Sequence, residues 1–306
     1  MTNSRNFRKT TGRCWLRGME NRAGWTLPGP WYDRVPRRIT GKPPQTAMPF
    51  IDNAGIRIHY EIEGDGPPLV LHHGATDSLG SWYEFGYVSA LKAGNRLILI
   101  DARGHGDSGK PHDPDSYATE LMVGDVLAVL DHLGVAATRY FGYSMGALTG
   151  FGMARFALGR VQAFILGGAP PIAGGSAYSG PDGDVLLKAF HRGPETVLSM
   201  FGKSLTPQLE SRLRANDMEA LIAWRRKRMT SPGFEEIVSG ITAPTLLFAG
   251  SADPIHAQVQ AAAAAIRGAT FVSLPGLGHI EAMCRGDLVL PHVLQFLSDC
   301  QVSFRA

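Results

Sequence analysis

Ser144 occupies a position in the sequence where its hydroxyl group could act as a nucleophile. It lies in Gly142-Tyr143-Ser144-Met145-Gly146, which follows a short apolar run and precedes a helical pattern. A sharp turn between a strand and a helix lifts such a serine clear of the sheet edge. The turn needs glycine on both sides, because a side chain at either position would collide with the neighbouring backbone. Ser144 is therefore the candidate nucleophile.

A serine hydroxyl needs a general base, a group that orients the base, and donors for the oxyanion that forms on the attacked carbonyl. Asp253 follows a predicted strand that ends at Phe248, and His279 follows one that ends at Leu274. Both side chains are expected at the carboxyl ends of parallel strands, on the same sheet edge as Ser144. The order Ser144, Asp253, His279 is that of a hydrolytic triad on such a sheet.

Each partner of Ser144 also has a structural interpretation. Asp253 precedes a proline and a helical pattern, so it could cap a helix, which does not exclude a catalytic role. His279 could be a buried histidine whose hydrogen bonds are satisfied. The matching order of the three residues favours the triad.

Five ordered motifs resemble those of the α/β-hydrolase family. They lie between about Met48 and the C-terminus, at His72-His73-Gly74-Ala75, Asp101-Ala102-Arg103-Gly104-His105-Gly106-Asp107-Ser108, Gly142 to Gly146, Asp253 and Gly278-His279. The resemblance implies that the backbone N–H groups of Ala75 and Met145 form the oxyanion hole. It also implies a serine esterase or lactonase with a helical cap, and neither a cofactor nor a metal.

The order of apolar runs predicts an α/β fold with a mainly parallel, twisted, eight-stranded sheet and helices on both faces. Residues 56–62 alternate strictly, as in a half-exposed antiparallel strand. Covered strands are predicted at 69–72, 96–100, 138–143, 161–166, 244–248 and 270–274. Helices are predicted at 81–93, 117–133, 145–157, 259–266 and 288–297, and Pro291 in the last of them is tolerated only in its first turn.

A mostly helical insertion interrupts this alternation at residues 171–240, with glycine and proline at both joins. We expect it to form a cap over a core made of residues 48–170 and 241–306. Its helical patterns lie at 184–191, 195–203, 207–214 and 217–229. Candidate substrate-pocket residues come from the cap and from the neighbourhood of the nucleophile: His72, Tyr143, Met200, Phe201 and Trp224.

Residues 1–47 differ in composition from the rest of the chain. They hold eight Arg and two Lys against Glu20 and Asp33, a net charge of +8, whereas the remainder carries 20 basic and 25 acidic residues, or −5. This basic leader has little apolar surface to bury, so we expect it to lie outside the fold. It is either a targeting or interaction tail or, as we favour, a misassigned start before Met48.

The composition of the body excludes several classes of protein. The chain is 44% hydrophobic, yet no apolar run approaches the ~20 residues of a membrane span. The three cysteines, Cys14, Cys284 and Cys300, are too few and too scattered for a disulfide framework or metal cluster. We therefore expect a soluble, cytoplasmic protein that acts on a small molecule and water and binds neither nucleic acid nor membrane.

Two further motifs invite other interpretations. Gly104 to Gly109 matches the dinucleotide pattern Gly-X-Gly-X-X-Gly, but Pro111 and Pro114 prevent the helix that this site requires. The resemblance to the α/β-hydrolase family implies that this loop has a structural role, as a scaffold for the active site. The basic run of residues 225–228 could contact nucleic acid or an anionic substrate, although a charge run on a helix is more often a solvated face.

These observations predict a serine hydrolase that cleaves a carboxylic ester or a lactone through an acyl-enzyme. Alternatives on the same triad are carbon–carbon bond hydrolysis, perhydrolysis and acyl transfer, because a fold does not choose among them. A ligand-binding receptor with little turnover is a further alternative. Epoxide and haloalkane hydrolases of this fold have an aspartate at the position of Ser144, which argues against both.

Overall fold

The computed structural model of the chain describes residues 50–174, 179–180 and 183–303. The predicted leader at 1–47 and six positions of the predicted cap, 175–178 and 181–182, lie outside the described residues. Within this part of the chain, no helix is both long enough and apolar enough to cross a membrane.

Eight strands form the central sheet, in the spatial order β1-β2-β4-β3-β5-β6-β7-β8. They are β1 (Phe50–Asn53), β2 (Ile56–Glu63), β3 (Pro68–His72), β4 (Arg96–Ile100), β5 (Thr138–Tyr143), β6 (Val161–Gly167), β7 (Thr245–Gly250) and β8 (Thr270–Leu274). β2 pairs antiparallel with β1 and β4, and all other neighbours in this sheet are parallel. The predicted eight-stranded, mainly parallel sheet is confirmed.

Helices cover both faces of the sheet. Successive side chains of β4 point to opposite faces, and this explains why its sequence is almost entirely apolar. Leu97 and Leu99 pack into the core beneath one set of helices, while Ile98 and Ile100 pack into the core on the other face. Successive side chains of a strand point to opposite faces, so a strand covered on both sides has no polar face. The central strands therefore show no alternation of polar and apolar residues.

The helices of the described chain are mostly short. They are α1 (Gly80–Glu84), α2 (Tyr87–Leu91), α3 (Thr119–His132), α4 (Met145–Phe156), α5 (Val185–Arg192), α6 (Pro194–Ser199), α7 (Pro207–Arg214), α8 (Met218–Thr230), α9 (His256–Ala265), α10 (His279–Cys284) and α11 (Gly286–Ser303). Asp184, Thr206 and Asp217 cap α5, α7 and α8 by accepting a hydrogen bond from a backbone N–H group of the first turn.

Two of the predicted helices were wrong in detail. The predicted helix at 81–93 is two helices, α1 and α2, because Gly86 adopts a left-handed conformation with φ of 81° between them. The closing helix begins at Gly286, so Pro291 lies inside it and not in its first turn. The carbonyl of Asp287 loses its helical partner there, but Asp287 is exposed and water can bind it.

Helices α5 to α8 lie between β6 and β7 in the sequence and share one apolar cluster with the sheet edge that follows β5. Phe190, Leu213 and Trp224 from these helices pack in the same cluster as Met145 of α4. This arrangement is that of a helical cap. The division into a core at 48–170 and 241–306 and a cap at 171–240 remains our proposal.

Candidate active site

Ser144 stands at a strained turn between β5 and α4. Its φ of 52° and ψ of −109° are rare for a residue with a side chain. A Cβ at Gly142 would lie 2.3 Å from the Gly146 carbonyl oxygen, and a Cβ at Gly146 would lie 2.0 Å from the His72 carbonyl oxygen. Both positions therefore need glycine. Such local strain persists only where the surrounding structure holds it, and it is typical of functional sites.

Buried hydrogen bonds hold this turn. The Ser144 N–H donates to the Gly167 carbonyl at 2.8 Å. Tyr140 donates its phenolic hydrogen to the Gly146 carbonyl at 2.8 Å and accepts a hydrogen bond from His72 Nδ1 at 2.7 Å. His72 is only 2% exposed. Its side chain thus supports the turn from below the sheet edge and does not line the cavity, in contrast to its predicted place in the substrate pocket.

Replacing Tyr140 with phenylalanine is expected to destabilise the fold by about 2–4 kcal/mol, because it leaves His72 Nδ1 and the Gly146 carbonyl buried without their partner. The free energy of unfolding, measured by urea denaturation, checks this value. The matched control is Tyr83→Phe, since the Tyr83 hydroxyl binds Glu61 at an exposed site. If Tyr140→Phe lowers the free energy of unfolding no more than Tyr83→Phe does, the role of the Tyr140 hydroxyl in holding the turn is contradicted.

Ser144, His279 and Asp253 form a continuous hydrogen-bonded relay. His279 Nε2 lies 3.0 Å from Ser144 Oγ, and His279 Nδ1 lies 2.7 Å from Asp253 Oδ2. Asp253 is 4% exposed, and its Oδ1 accepts the Ile255 N–H at 3.1 Å. Because α9 begins later, at His256, Asp253 is not its N-cap residue. Both carboxylate oxygens are therefore used to fix the imidazole and the loop that carries the carboxylate.

The loops that carry His279 and Asp253 are pressed against each other. A Cβ at Gly250, the last residue of β7, would lie 2.1 Å from the Leu277 carbonyl oxygen. The Tyr143 hydroxyl donates to the His279 carbonyl, and the Tyr143 ring lies 5.5 Å from the imidazole, centroid to centroid. Tyr143 therefore supports the backbone and one face of His279 directly beside the nucleophile.

The loop after β3 brings a second set of backbone donors to Ser144. A Cβ built at Gly74 would contact Ser144 Cβ at 3.4 Å, so this loop lies against the nucleophile. Ala75 and Met145 line the same cavity as Ser144, and neither N–H has a hydrogen-bond acceptor among the described residues. Two free N–H groups beside the serine are what an oxyanion hole requires.

His73 fixes this loop. Its Nδ1 lies 2.7 Å from the Gly74 carbonyl oxygen, and its Nε2 lies 3.1 Å from the Ala102 nitrogen. A carbonyl can only accept and an amide N–H can only donate, so Nδ1 carries the proton and Nε2 accepts. His73 is therefore a neutral link that ties the loop after β3 to the loop after β4.

The loop after β4 is the scaffold that the resemblance implied. Asp101 accepts hydrogen bonds from His59 Nδ1 and the backbone N–H groups of Leu79 and Asp107. Burial has the largest single influence and would raise the pKa of Asp101. The hydrogen bond from His59 and the weaker favourable interactions of the carboxylate together outweigh it, so the pKa is lowered. Arg103 forms a buried ion pair with Asp125 at 2.6 Å. These interactions join β2, α1 and α3 beneath the site.

Two histidines near the site are held neutral by their surroundings. Burial lowers the pKa of both His72 and His105 to about 3. An unfolded histidine binds a proton below about pH 6.5. Between these pH values the unfolded chain binds more protons than the folded chain, so the free energy of unfolding rises with pH.

Lowering the pH from 7 to 5 is therefore expected to cost about 2 kcal/mol of stability for each of these two histidines. His59 acts in the opposite direction: burial opposes its charged form, yet its bond to Asp101 raises its pKa. Urea denaturation at several pH values measures the dependence. The His72→Gln variant should lose the contribution of His72, about 2 kcal/mol, whereas His292→Gln, at an exposed position, should keep the wild-type dependence. If the free energy of unfolding of His72→Gln depends on pH as that of the wild type does, His72 is not the buried neutral histidine that this account requires.

Ser144 opens into a cavity of about 230 Å³. An apolar cavity of about 150 Å³ already holds a benzene molecule, so this one has room for a small organic substrate. Its wall is mostly apolar and is formed by both the core and the cap. Members of the wall include Phe85, Tyr143, Leu186, Phe190, Val197, Met200, Phe201, Trp224, Ile280 and Met283.

The structure places four of the five predicted pocket residues on this wall: Tyr143, Met200, Phe201 and Trp224. Sequence reasoning missed Phe85, which directly follows α1, and Phe190 and Met283, which lie on short helices whose orientation no periodicity revealed. Cys284 also lines the cavity. Arg225 and Arg228 line the cavity as well. Their spacing of three residues could have been read from the sequence, because it places both side chains on the same face of a helix.

Comparison with known proteins gives the family. A model of the alpha/beta hydrolase fold matches residues 67–281. The chain therefore belongs to the α/β-hydrolase family and is an enzyme of that superfamily. The resemblance inferred from the five motifs is confirmed.

Individual relatives differ in activity. The chain is 29% identical to a non-heme haloperoxidase of Rhodococcus erythropolis over 82% of its own length and 99% of that protein. It is 27% identical to the bifunctional epoxide hydrolase 2 of Mus musculus over 64% of its own length and only 36% of that protein. It thus spans about a third of the mouse relative. Among solved structures, the enol-lactonase of Burkholderia xenovorans LB400 matches with a TM-score of 0.71 and 26% identity, over 82% of this chain and 100% of that chain.

Proposed function

We propose that this protein is a serine hydrolase that cleaves a carboxylic ester or a lactone through an acyl-enzyme. The observation that carries the proposal is the unbroken relay from Ser144 Oγ to His279 Nε2 and from His279 Nδ1 to Asp253 Oδ2, at 3.0 Å and 2.7 Å. The relay faces a mostly apolar cavity of small-molecule size. The likeness to an enol-lactonase supports a substrate of this class.

In the first step, Ser144 Oγ attacks the carbonyl carbon while His279 Nε2 takes the hydroxyl proton. The oxygen of the tetrahedral intermediate is stabilised by the Ala75 and Met145 N–H groups. The carbon–oxygen bond of the ester then breaks, and His279 returns the proton to the departing alkoxide. An alcohol leaves from an ester, whereas in a lactone the new hydroxyl group stays on the acyl chain.

In the second step, His279 takes a proton from water, whose oxygen attacks the acyl carbon. The bond to Ser144 Oγ breaks, the proton returns to Oγ, and the carboxylic acid leaves. Asp253 is not protonated in either step. Its role is to hold Nδ1 in the protonated form, so that Nε2 is the acceptor, and to stabilise the imidazolium that forms transiently.

The epoxide hydrolase relatives do not favour that reaction for this chain. In such enzymes a carboxylate attacks the epoxide carbon, and the residue at the turn here is Ser144, which has no carboxylate. Perhydrolysis is a second candidate, favoured by the likeness to the haloperoxidase along almost its whole length. In that reaction hydrogen peroxide replaces water as the attacking group, so the acyl-enzyme yields a peroxy acid and free Ser144.

A fluorophosphonate probe, with p-nitrophenyl esters and lactones as substrates, tests the proposal. We expect covalent labelling and ester turnover in the wild type and neither in Ser144→Ala. The chain offers a matched control in Ser273, whose hydroxyl also binds a histidine, His256, at 2.8 Å but on the exposed surface. Ser273→Ala should keep both activities. Labelling that persists in Ser144→Ala, or an absence of turnover for every ester and lactone, would refute the proposal.

A further inference from the structure

The wall of the cavity carries charged groups on helix α8. Arg225 and Arg228, three residues apart on this helix, both line the cavity that contains Ser144 and His279. Arg226, between them, is exposed on the opposite side. The basic run is therefore not a uniformly solvated face, because two of its members point to the interior. This arrangement brings like charges together, which is unfavourable unless an anion compensates them.

The two arginines differ in how their charge is compensated. Arg225 is 3% exposed and forms an ion pair with the buried carboxylate of Asp184, which holds both its Nε and its Nη2. On the far side of the cavity, Asp77 also lines the wall, but it is bound to Arg212 at 2.8 Å. The charge of Arg225 is thus compensated by Asp184. Arg212 also binds Glu84 at 2.7 Å, so the group on the far side has one cation for two carboxylates and is net negative.

Arg228 has no such partner among the residues that the structure describes. It is half-buried, and its Nη2 donates to the Ile172 carbonyl at 2.6 Å. A guanidinium group has five N–H donors, and no carboxylate of the described chain lies within ion-pair distance of this one. Burial, with repulsion from Arg225, lowers the pKa of Arg228 to about 10, so it stays protonated at neutral pH. Arg228 therefore places a positive charge on its part of the cavity wall.

We propose that the substrate carries a second, non-reacting carboxylate, and that Arg228 binds it. This inference rests on the proposed function and narrows it to anionic esters or lactones. A carboxylate can take two parallel hydrogen bonds from a guanidinium, and such charge-assisted bonds are roughly twice as strong as those between neutral groups. Arg225 is already paired with Asp184, so its charge is compensated and the attraction comes from Arg228.

Two pairs of substrates test the proposal, each differing only in a carboxylate in place of a methyl group. One pair is the p-nitrophenyl monoester of glutaric acid and p-nitrophenyl valerate. The other is γ-butyrolactone with a carboxylate on its γ-carbon and γ-valerolactone. The wild type should show a kcat/KM about tenfold or more higher for the anionic member of at least one pair. In Arg228→Met this ratio should fall to about one.

The exposed neighbour supplies the matched control: Arg226→Met changes the same charge on the same helix and should keep the wild-type ratio. If Arg228→Met does not fold, Arg228→Lys, which keeps the charge without the planar fork, should retain only part of the ratio. In the wild type, added salt should raise KM for the anionic esters and not for the neutral ones.

Equal or lower kcat/KM for the anionic member of both pairs in the wild type would overturn the proposal. The proposal would also be overturned if Arg228→Met kept the wild-type ratio of kcat/KM for anionic over neutral substrate. The same holds if Arg226→Met lowered this ratio as much as Arg228→Met does. These outcomes are distinct from a failure of the proposed function. The proposed function fails if cleavage of the neutral p-nitrophenyl valerate does not depend on Ser144. That result is read from the neutral ester alone and does not involve the ratio of kcat/KM for the two substrates.

Discussion

Replacing Ser144 with alanine is expected to lower kcat for ester hydrolysis by about 10⁵- to 10⁶-fold, with KM little changed. The variant keeps the cavity, the oxyanion donors and the imidazole, but it has no oxygen to form the acyl-enzyme. Stopped-flow and steady-state assays with a p-nitrophenyl ester measure both the burst of the first turnover and kcat. The burst should vanish together with turnover.

The residual rate of Ser144→Ala is informative. Removing any single member of a triad still leaves about 10³- to 10⁴-fold catalysis over water, from the oxyanion hole and substrate binding. The Ala75 and Met145 N–H groups should supply this remainder here. The Ser273→Ala control, at a surface serine hydrogen-bonded to His256, should retain wild-type kcat. A loss of less than tenfold in Ser144→Ala would contradict the assignment of the nucleophile.

Asp253→Asn should lower kcat by about 10⁴-fold while the fold stays intact. Asp253 is almost fully buried and is bound to His279 Nδ1 at 2.7 Å. An asparagine amide can donate to Nδ1, which moves the imidazole proton to Nε2. That nitrogen then can no longer accept the proton of Ser144, although every heavy atom keeps its place.

The comparison that isolates this effect uses an exposed aspartate. Asp287 pairs with Arg285 at 2.6 Å on the surface, so Asp287→Asn removes a similar carboxylate and a similar ion pair and should leave kcat unchanged. The melting temperature of both variants gives their stability. A fall in kcat for Asp253→Asn that merely follows a loss of folded protein would argue against the orienting role.

Much of the sheet and of the site could be predicted from the sequence because both depend on short, local signals. The strand at 96–100 and the strand at 138–143 have the predicted bounds, since each is an apolar run closed by a turn residue. Glycine at 142 and 146 marks a turn that leaves no space for a Cβ. The positions of Asp253 and His279 follow from where two strands end.

The parts that were missed depend on tertiary contacts. No local pattern reveals that Gly86 breaks the helix between α1 and α2, because a single glycine in a helical pattern is often tolerated. His72 was assigned to the pocket from its place near the site, but its partner is the Tyr140 hydroxyl, 68 positions away in the sequence. The side of α8 that faces the cavity is fixed by Asp184, which binds Arg225.

The mass of Ser144 after reaction with substrate tests the central claim most directly. The protein is mixed with an activated ester, quenched in acid within milliseconds, digested and analysed by mass spectrometry. We predict that the peptide containing Ser144 gains the mass of the acyl group, and that the fraction acylated equals the amplitude of the burst. An acyl group on another residue, or turnover with no acylated intermediate at any quench time, would contradict the account.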